Sequence, residues 1–132
     1  MPIALGVYIA APFQLRHVGQ LVLSGLLSVG LYSTARWLDQ EKEEWKDDWA
    51  RIDLDDIDRS TVVILINPPE WAHKGTGGRH VEFGYALARH KDIIVFGERT
   101  NIFHHVDSVH VVSDLTSVIE KANDLARGLS LV

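Results

Sequence analysis

The 132-residue chain is 46% hydrophobic and 23% charged, a composition typical of globular proteins, and its length fits one domain over residues 1–132. A formal net charge of −5 argues against a nucleic-acid polymer as the main partner, and the absence of cysteine excludes disulfides and thiolate chemistry. No apolar run reaches the length of a membrane span, and no basic leader precedes the apolar N-terminus. We therefore expect a cytoplasmic protein without a membrane partner.

Short apolar runs alternate with helically spaced segments along the chain. The runs predict five buried strands, at residues 5–11, 31–37, 60–66, 92–97 and 109–112. Apolar residues at helical spacing predict helices at residues 14–27, 79–90 and 116–127. Ser113 or Asp114 is the expected N-cap of the last helix, and Gly128 its stop.

This alternation predicts an α/β fold of the flavodoxin-like type, a three-layer sandwich whose five-stranded parallel sheet has the order 2-1-3-4-5. Ligands of such folds bind at the carboxyl ends of strands one and three. The rule places residues 8–13, residues 67–78 and the start of the following helix around one crevice.

An acidic, Trp-rich insert at about residues 39–52 interrupts the alternation, and ten of the eighteen acids lie between Asp39 and Asp58. Trp45 and Trp49 are four residues apart, on one potential helical face. These side chains and Trp71 either anchor a core or an interface, or stack on a planar base.

A helix just before the third strand would aim Asp53 over the strand ends while Leu54 and Ile57 pack inward. The other acids of this segment are expected on a solvated helix face. They are Asp55, Asp56 and Asp58.

The glycine-rich loop at residues 75–78 leads into a helix with Glu82 in or near its first turn. There the helix dipole favours the ionised carboxylate, which suits a nucleophile facing a small ligand; alternatively, Glu82 only complements the dipole. Two carboxylates, Glu82 and Asp53, converging on one crevice would suit glycosyl chemistry. Arg79 either pairs with a phosphate or is solvated.

No metal site is expected, because the adjacent His104 and His105 point differently on regular structure and no His-x-x-x-His pair occurs.

Three stretches resemble the nucleoside 2-deoxyribosyltransferase family and its relatives, the nucleoside 5′-monophosphate N-glycosidases. They are residues 7–13 at the first strand, Asp53-x-x-x-Ile57 ahead of the third, and Gly78-x-x-x-Glu82-x-Gly84-Tyr85-Ala86. The resemblance extends from the first strand to about Asp114, although residues 39–49 match nothing specific.

The resemblance implies that Glu82 attacks C1′ of a 2′-deoxynucleoside, displaces the base and forms a covalent glutamyl-deoxyribose intermediate. Tyr8 would orient the nucleophile, and Asp53 would handle the proton of the departing base. A second nucleobase then accepts the sugar, and neither a metal nor an organic cofactor is needed. The alternatives are a hydrolase of 2′-deoxynucleoside 5′-monophosphates, in which water replaces the second base, and a non-catalytic nucleotide-binding module.

One departure bears on the substrate. Six residues before the nucleophile, such transferases carry an aspartate that contacts the base, and the monophosphate glycosidases carry a serine that helps hold the phosphate. Thr76 occupies this position and favours a phosphorylated substrate.

By the same resemblance we expect a homo-oligomer with shared active sites, in which residues 101–105 occupy the region that completes a neighbouring site. The expected substrate-binding residues are Pro12, Phe13, Asn67, Thr76, Gly77, Gly78, Arg79 and Asn101.

Overall fold

A computed structural model describes residues 5–43, 45–69, 72 and 75–128. The strands of the described part are β1 (Gly6–Ala10), β2 (Tyr32–Ser33), β3 (Val62–Asn67), β4 (Asp92–Gly97) and β5 (Val109–Val112). The α-helices are α1 (Arg16–Ser28), α2 (Asp47–Asp58), α3 (Gly78–Ala88) and α4 (Leu115–Ala126). Short 3₁₀ helices lie at Phe13–Leu15, Arg36–Asp39 and Ile102–His105.

The strands form one parallel sheet in the order β2-β1-β3-β4-β5, as the sequence predicts. The register aligns Tyr8 of β1 with Val63 of β3, and Val63 with Ile93 of β4. Every residue of β1 and β3 is buried, because both strands are central and covered on both faces. The α/β flavodoxin-like fold is therefore confirmed.

The helices cover the sheet in two pairs. Helix α1 packs against α4, and α2 packs against α3. Asp114 is the N-cap of α4, and its carboxylate accepts a hydrogen bond from the Ser117 backbone N–H at 2.8 Å, so the Asp114 cap is confirmed. None of the helices in the described ranges is long and apolar enough to cross a membrane.

Strand two is much shorter than predicted, since β2 contains only Tyr32 and Ser33 and the chain then turns into a 3₁₀ helix. After β2, the backbone N–H of Arg36 donates to the Asp56 carboxylate at 2.9 Å, so this side chain takes the place of a neighbouring strand as hydrogen-bond partner. Trp37, predicted to end the strand, is 5% exposed, and its indole N–H donates to the Ile9 carbonyl at 2.7 Å.

The acidic segment also differs from its prediction. Trp45 precedes α2 and is 79% exposed, so it does not share a helical face with the half-buried Trp49. Asp56 is fully buried, and the prediction that it is solvated is wrong. Asp55 and Asp58 are exposed, as predicted. Trp71 lies outside the described residues.

Candidate active site

A cleft of about 280 Å³ lies next to the carboxyl ends of the central strands. On one side it is bounded by the segment after β1, and on the opposite sides by α2 and the start of α3. Its described lining contains 17 residues: Ala11, Pro12, Phe13, Trp37, Gln40, Glu43, Trp49, Ala50, Asp53, Leu54, Gly75, Thr76, Gly77, Gly78, Arg79, Val81 and Glu82. The cleft is therefore the crevice that the strand order predicts.

The glycine-rich loop forms the start of α3. Gly77 precedes the helix in the left-handed region, at φ +96°, where an L side chain would be strained. Gly77, Gly78 and Arg79 line the cleft, so the first turn of α3 borders the space that a ligand would occupy. The free N–H groups of a helix start favour an anionic group at this end of the cleft.

Glu82 is the fifth residue of α3 and lies beyond its first turn, where the helix dipole has weakened. The fully buried Tyr8 of β1 donates its hydroxyl hydrogen bond to Oε2 of Glu82. Burial raises the pKa of Glu82 to about 8, the hydrogen bond from Tyr8 lowers it, and the Asp53 charge raises it. Burial thus opposes the ionised form that the helix dipole was expected to favour, and Tyr8 is the group that favours the carboxylate form.

Asp53 reaches the cleft from α2, in the direction that the sequence predicts. Its Oδ1 atom is buried and accepts no hydrogen bond from the described residues. Burial, followed by the charge of Asp56, raises the pKa of Asp53 to about 7, against the opposing effect of Arg36. A carboxyl group that holds its proton near neutral pH is suited to donate it to a leaving group.

The charge of Asp53 raises the pKa of Glu82, so the proton on Glu82 depends on the ionisation of Asp53. Burial and the charges of Glu82 and Asp53 raise the pKa of Tyr8 well above its usual value. Tyr8 therefore remains a hydrogen-bond donor throughout the neutral range. The arrangement can supply one ionised carboxylate and one carboxylic acid to a ligand lying between α2 and α3.

Asn67 lies outside the described lining of the cleft and instead organises the loops around it. Its amide N–H groups donate to the Glu98 carbonyl at 2.7 Å and to the Thr100 hydroxyl at 2.9 Å. Its Oδ1 accepts from Nε of Arg79 at 3.2 Å, and both side chains are almost completely buried. Asn67 thus links the end of β3 to Arg79, which does line the cleft.

Asn101 is also outside the described lining. Its side chain caps the 3₁₀ helix that follows by accepting from the Phe103 backbone N–H at 2.9 Å. The fully buried His104 packs edge-on against Phe83 of α3, with ring centroids 4.9 Å apart. The structure therefore gives Asn101 a local structural contact within this chain.

Pro12, Phe13 and Thr76 lie in the cleft lining, as expected of substrate-binding residues. The ring of Phe13 packs against Trp37 with centroids 6.0 Å apart. Sequence reasoning missed Trp37 and Gln40, because residues 31–37 read as a continuous strand. Their position in the chain could have identified them, because both residues follow the end of a strand beside the topological switch point, where ligands bind.

Within the described ranges, no cluster of three or more His, Asp or Glu side chains has the geometry to hold a metal ion.

No protein-family model matches the chain, and no curated protein sequence matches it. Solved structures do match. A CMP N-glycosidase, BcmB, of Clostridium botulinum aligns over 88% of this chain and 96% of its own, with a TM-score of 0.61 and 19% identity. A 2-deoxyribosyltransferase of Bacillus psychrosaccharolyticus aligns over 86% of this chain and 90% of its own, with a TM-score of 0.63 and 23% identity. The chain therefore has the fold of these two enzymes over most of its length.

Proposed function

We propose that the chain is a nucleoside 2-deoxyribosyltransferase-like enzyme, which cleaves the N-glycosidic bond of 2′-deoxynucleosides and transfers the sugar to another nucleobase. The observation that carries this proposal is the hydrogen bond from Tyr8 to Glu82 beside a cleft that also contains Asp53. The fold shared with a 2-deoxyribosyltransferase and a CMP N-glycosidase, and the three matching sequence stretches, support the same conclusion.

In the first step, a carboxylate oxygen of Glu82 forms a bond to C1′ as the bond from C1′ to the base nitrogen breaks. The bonding electron pair leaves with the base, which takes the proton of Asp53. The second base then attacks C1′ with its ring nitrogen, releases Glu82 and returns a proton to Asp53. Two displacements at one carbon retain its configuration.

Cleavage of a 2′-deoxynucleoside needs few catalytic groups, which agrees with the small number of ionisable side chains in the described cleft lining. A 2′-deoxyribose lacks the hydroxyl that would destabilise an oxocarbenium-like transition state, so one nucleophile and one acid suffice. The side chains of Phe13, Trp37 and Trp49 supply aromatic surface for a planar base near Asp53. No metal or organic cofactor takes part in these steps.

The second candidate is hydrolysis of 2′-deoxynucleoside 5′-monophosphates, in which water resolves the same intermediate. It is favoured by the polar end of the cleft, where Thr76 and Arg79 lie beside the first turn of α3. A non-catalytic nucleotide-binding module is less consistent with the site, because binding alone does not need a hydroxyl donated to a buried carboxylate.

The proposal includes the setting in which the enzyme works. Residues 1–132 would act as one domain in the cytoplasm, and as a homo-oligomer whose subunits share active sites. Val81 supports a shared site, because it lines the cleft and is nevertheless 68% exposed in the isolated chain.

Incubation with deoxynucleosides and with their 5′-monophosphates, each with and without excess of a second base, tests the proposal. A transferase yields a new nucleoside, whereas a hydrolase yields the free sugar or sugar phosphate. Intact-mass spectrometry without acceptor should detect the glycosyl adduct on the native protein and not on Glu82→Gln. Full activity in Glu82→Ala would contradict the mechanism, and tight nucleotide binding without base release would favour the binding module.

A further inference from the structure

The carboxylate of Asp56 is fully buried in α2 and is held by two arginines. Its Oδ1 accepts from Nε of Arg36 at 2.8 Å and also contacts the guanidinium of Arg59. Its Oδ2 accepts from the Arg36 backbone N–H at 2.9 Å. These donors contact both oxygens of the buried carboxylate and fix the orientation of the side chain.

These contacts join two walls of the cleft. Arg36 begins the 3₁₀ helix that brings Trp37 to the cleft, and Asp56 belongs to the helix that brings Asp53 there. The Thr34 hydroxyl adds a hydrogen bond of 2.8 Å to the Asp56 carbonyl. The segment after β2 is thus fastened to α2 by both side-chain and backbone contacts.

Asp53 lies three residues before Asp56, on the same side of α2. The groups that act on its charge are Asp56, which raises its pKa, and Arg36, which lowers it. The other ionisable groups of the described lining are Glu82, Arg79 and Glu43, and Tyr8 of β1 donates a hydrogen bond to Glu82.

We propose that Arg36 and Asp56 are positioning residues for Asp53. The two residues fix α2 against the segment after β2 and control how easily Asp53 releases its proton. This inference rests on the proposed function for its chemical meaning, since Asp53 is the proposed acid. The effect on the Asp53 proton itself is a property of the folded protein and does not require turnover.

Substitutions at the two residues separate an electrostatic role from a structural one. Both Arg36→Gln and Asp56→Asn break the same ion pair, so a purely structural role would shift the titration of Asp53 in one direction or leave it unchanged. Loss of the Arg36 charge should raise the pKa of Asp53, whereas loss of the Asp56 charge should lower it.

The experiment is an NMR titration of the side-chain carboxyl carbon of Asp53 in the ligand-free protein, with the resonance assigned by its absence in Asp53→Asn. We expect the midpoint to move upward in Arg36→Gln and downward in Asp56→Asn, by about half a pH unit or more in each. Arg36→Lys keeps the charge and should stay near the native midpoint.

Arg59→Gln is the matched control, because Arg59 also contacts Asp56 but is not among the groups that shift Asp53. The proposal is overturned if the two principal variants move the midpoint in the same direction, or if neither moves it. Should Asp56→Asn fail to fold, the comparison of Arg36→Gln with Arg36→Lys decides in the same way, since equal midpoints would reject the proposal.

Activity provides a separate readout. In an active enzyme, the limb of the kcat/KM profile near pH 7 should follow the NMR midpoint of Asp53 in each variant. Opposite NMR shifts in a protein without glycosidic activity would support the coupling while rejecting the proposed function. The two failures are therefore distinguishable.

Discussion

Glu82 and Asp53 both hold protons in the neutral range, because the cleft removes their carboxyl groups from water. The proposed reaction needs Glu82 ionised and Asp53 protonated. Tyr8 favours this distribution, because its hydroxyl donates to Glu82 and stabilises the carboxylate. At the residue scale, activity should therefore depend on pH through both groups.

We expect a bell-shaped kcat/KM profile with limbs near pH 7 and pH 8, since those are the pKa values of Asp53 and Glu82. Below this range Glu82 is protonated and cannot attack, and above it Asp53 is ionised and cannot donate. Because the pKa of Glu82 lies above that of Asp53, the active form is a minority species and the limb near pH 8 follows Glu82. Tyr8→Phe removes the hydrogen bond that lowers the pKa of Glu82, so this limb should move to higher pH. Activity at pH 7 should fall by about 10-fold or more.

The profile is measured by release of free base from a deoxynucleoside or its 5′-monophosphate, whichever the enzyme accepts. Asp53→Asn serves as the companion variant and should lose the alkaline limb, because an amide has no proton to give up in this range. Unchanged limbs in both variants would contradict these assignments.

At the scale of elements, α2 presents Trp49 and Asp53 one turn apart to the same cleft. Trp49→Leu should raise KM or the Kd of a nucleotide by about 10-fold, because an aromatic stacking surface of about 1–3 kcal/mol is lost. Trp45→Leu is the matched control, since Trp45 is 79% exposed and does not line the cleft. Equal effects of the two substitutions on KM would show that Trp49 does not contact the base.

The end of β4 lies so close to β3 that only glycine fits at residue 97. A Cβ on Gly97 would lie 2.1 Å from the Asn67 carbonyl oxygen, and the backbone has φ +132°. We expect Gly97→Ala to destabilise the fold by about 2 kcal/mol or more, measured by urea unfolding.

Gly84→Ala is the control for this substitution, because a Cβ on Gly84 meets no atom within 4 Å and the residue lies within α3. Alanine there should stabilise the protein by about 0.5–1 kcal/mol. Equal stability of the two variants would show that β4 can move away from Asn67 without cost.

At the scale of the whole molecule, the cleft makes stability depend on pH. The folded protein raises the pKa of Glu82 from 4.5 to about 8, so its folded form binds the proton more tightly than its unfolded form. The stability associated with this proton is fully present below about pH 4.5 and is lost as pH rises through about 8.

Glu82→Gln remains neutral and should not lose stability in this way. Between pH 5 and pH 9 the native protein should therefore lose on the order of 1–3 kcal/mol of unfolding free energy relative to this variant, a value reduced for the partial exposure of Glu82. Urea denaturation at both pH values measures the difference, with Glu41→Gln, at an exposed site, as control. Parallel pH dependence of the native protein and Glu82→Gln would contradict burial of a proton-binding Glu82.

The pattern of apolar residues along the chain was sufficient to predict the sheet order and the position of the cleft. Buried parallel strands are almost continuous apolar runs, and their connections are right-handed, so few topologies remain. Pro12, Phe13 and the loop at residues 75–79 were placed correctly at the cleft because they follow the ends of β1 and β3. These features depend on local pattern and chain order.

Only the tertiary structure decided the early end of β2, the burial of Asp56 and the protonation of Glu82. Each of these results depends on contacts between distant segments: Arg36 with Asp56, Trp37 with Ile9, and Tyr8 with Glu82. The sequence identified Glu82 as a carboxylate at a helix start, where the dipole alone would ionise it. The Tyr8 hydrogen bond therefore favours the carboxylate form in place of the dipole. Packing against β1 and α2 desolvates Glu82, and desolvation acts on a buried charge more strongly than a helix dipole does beyond its first turn.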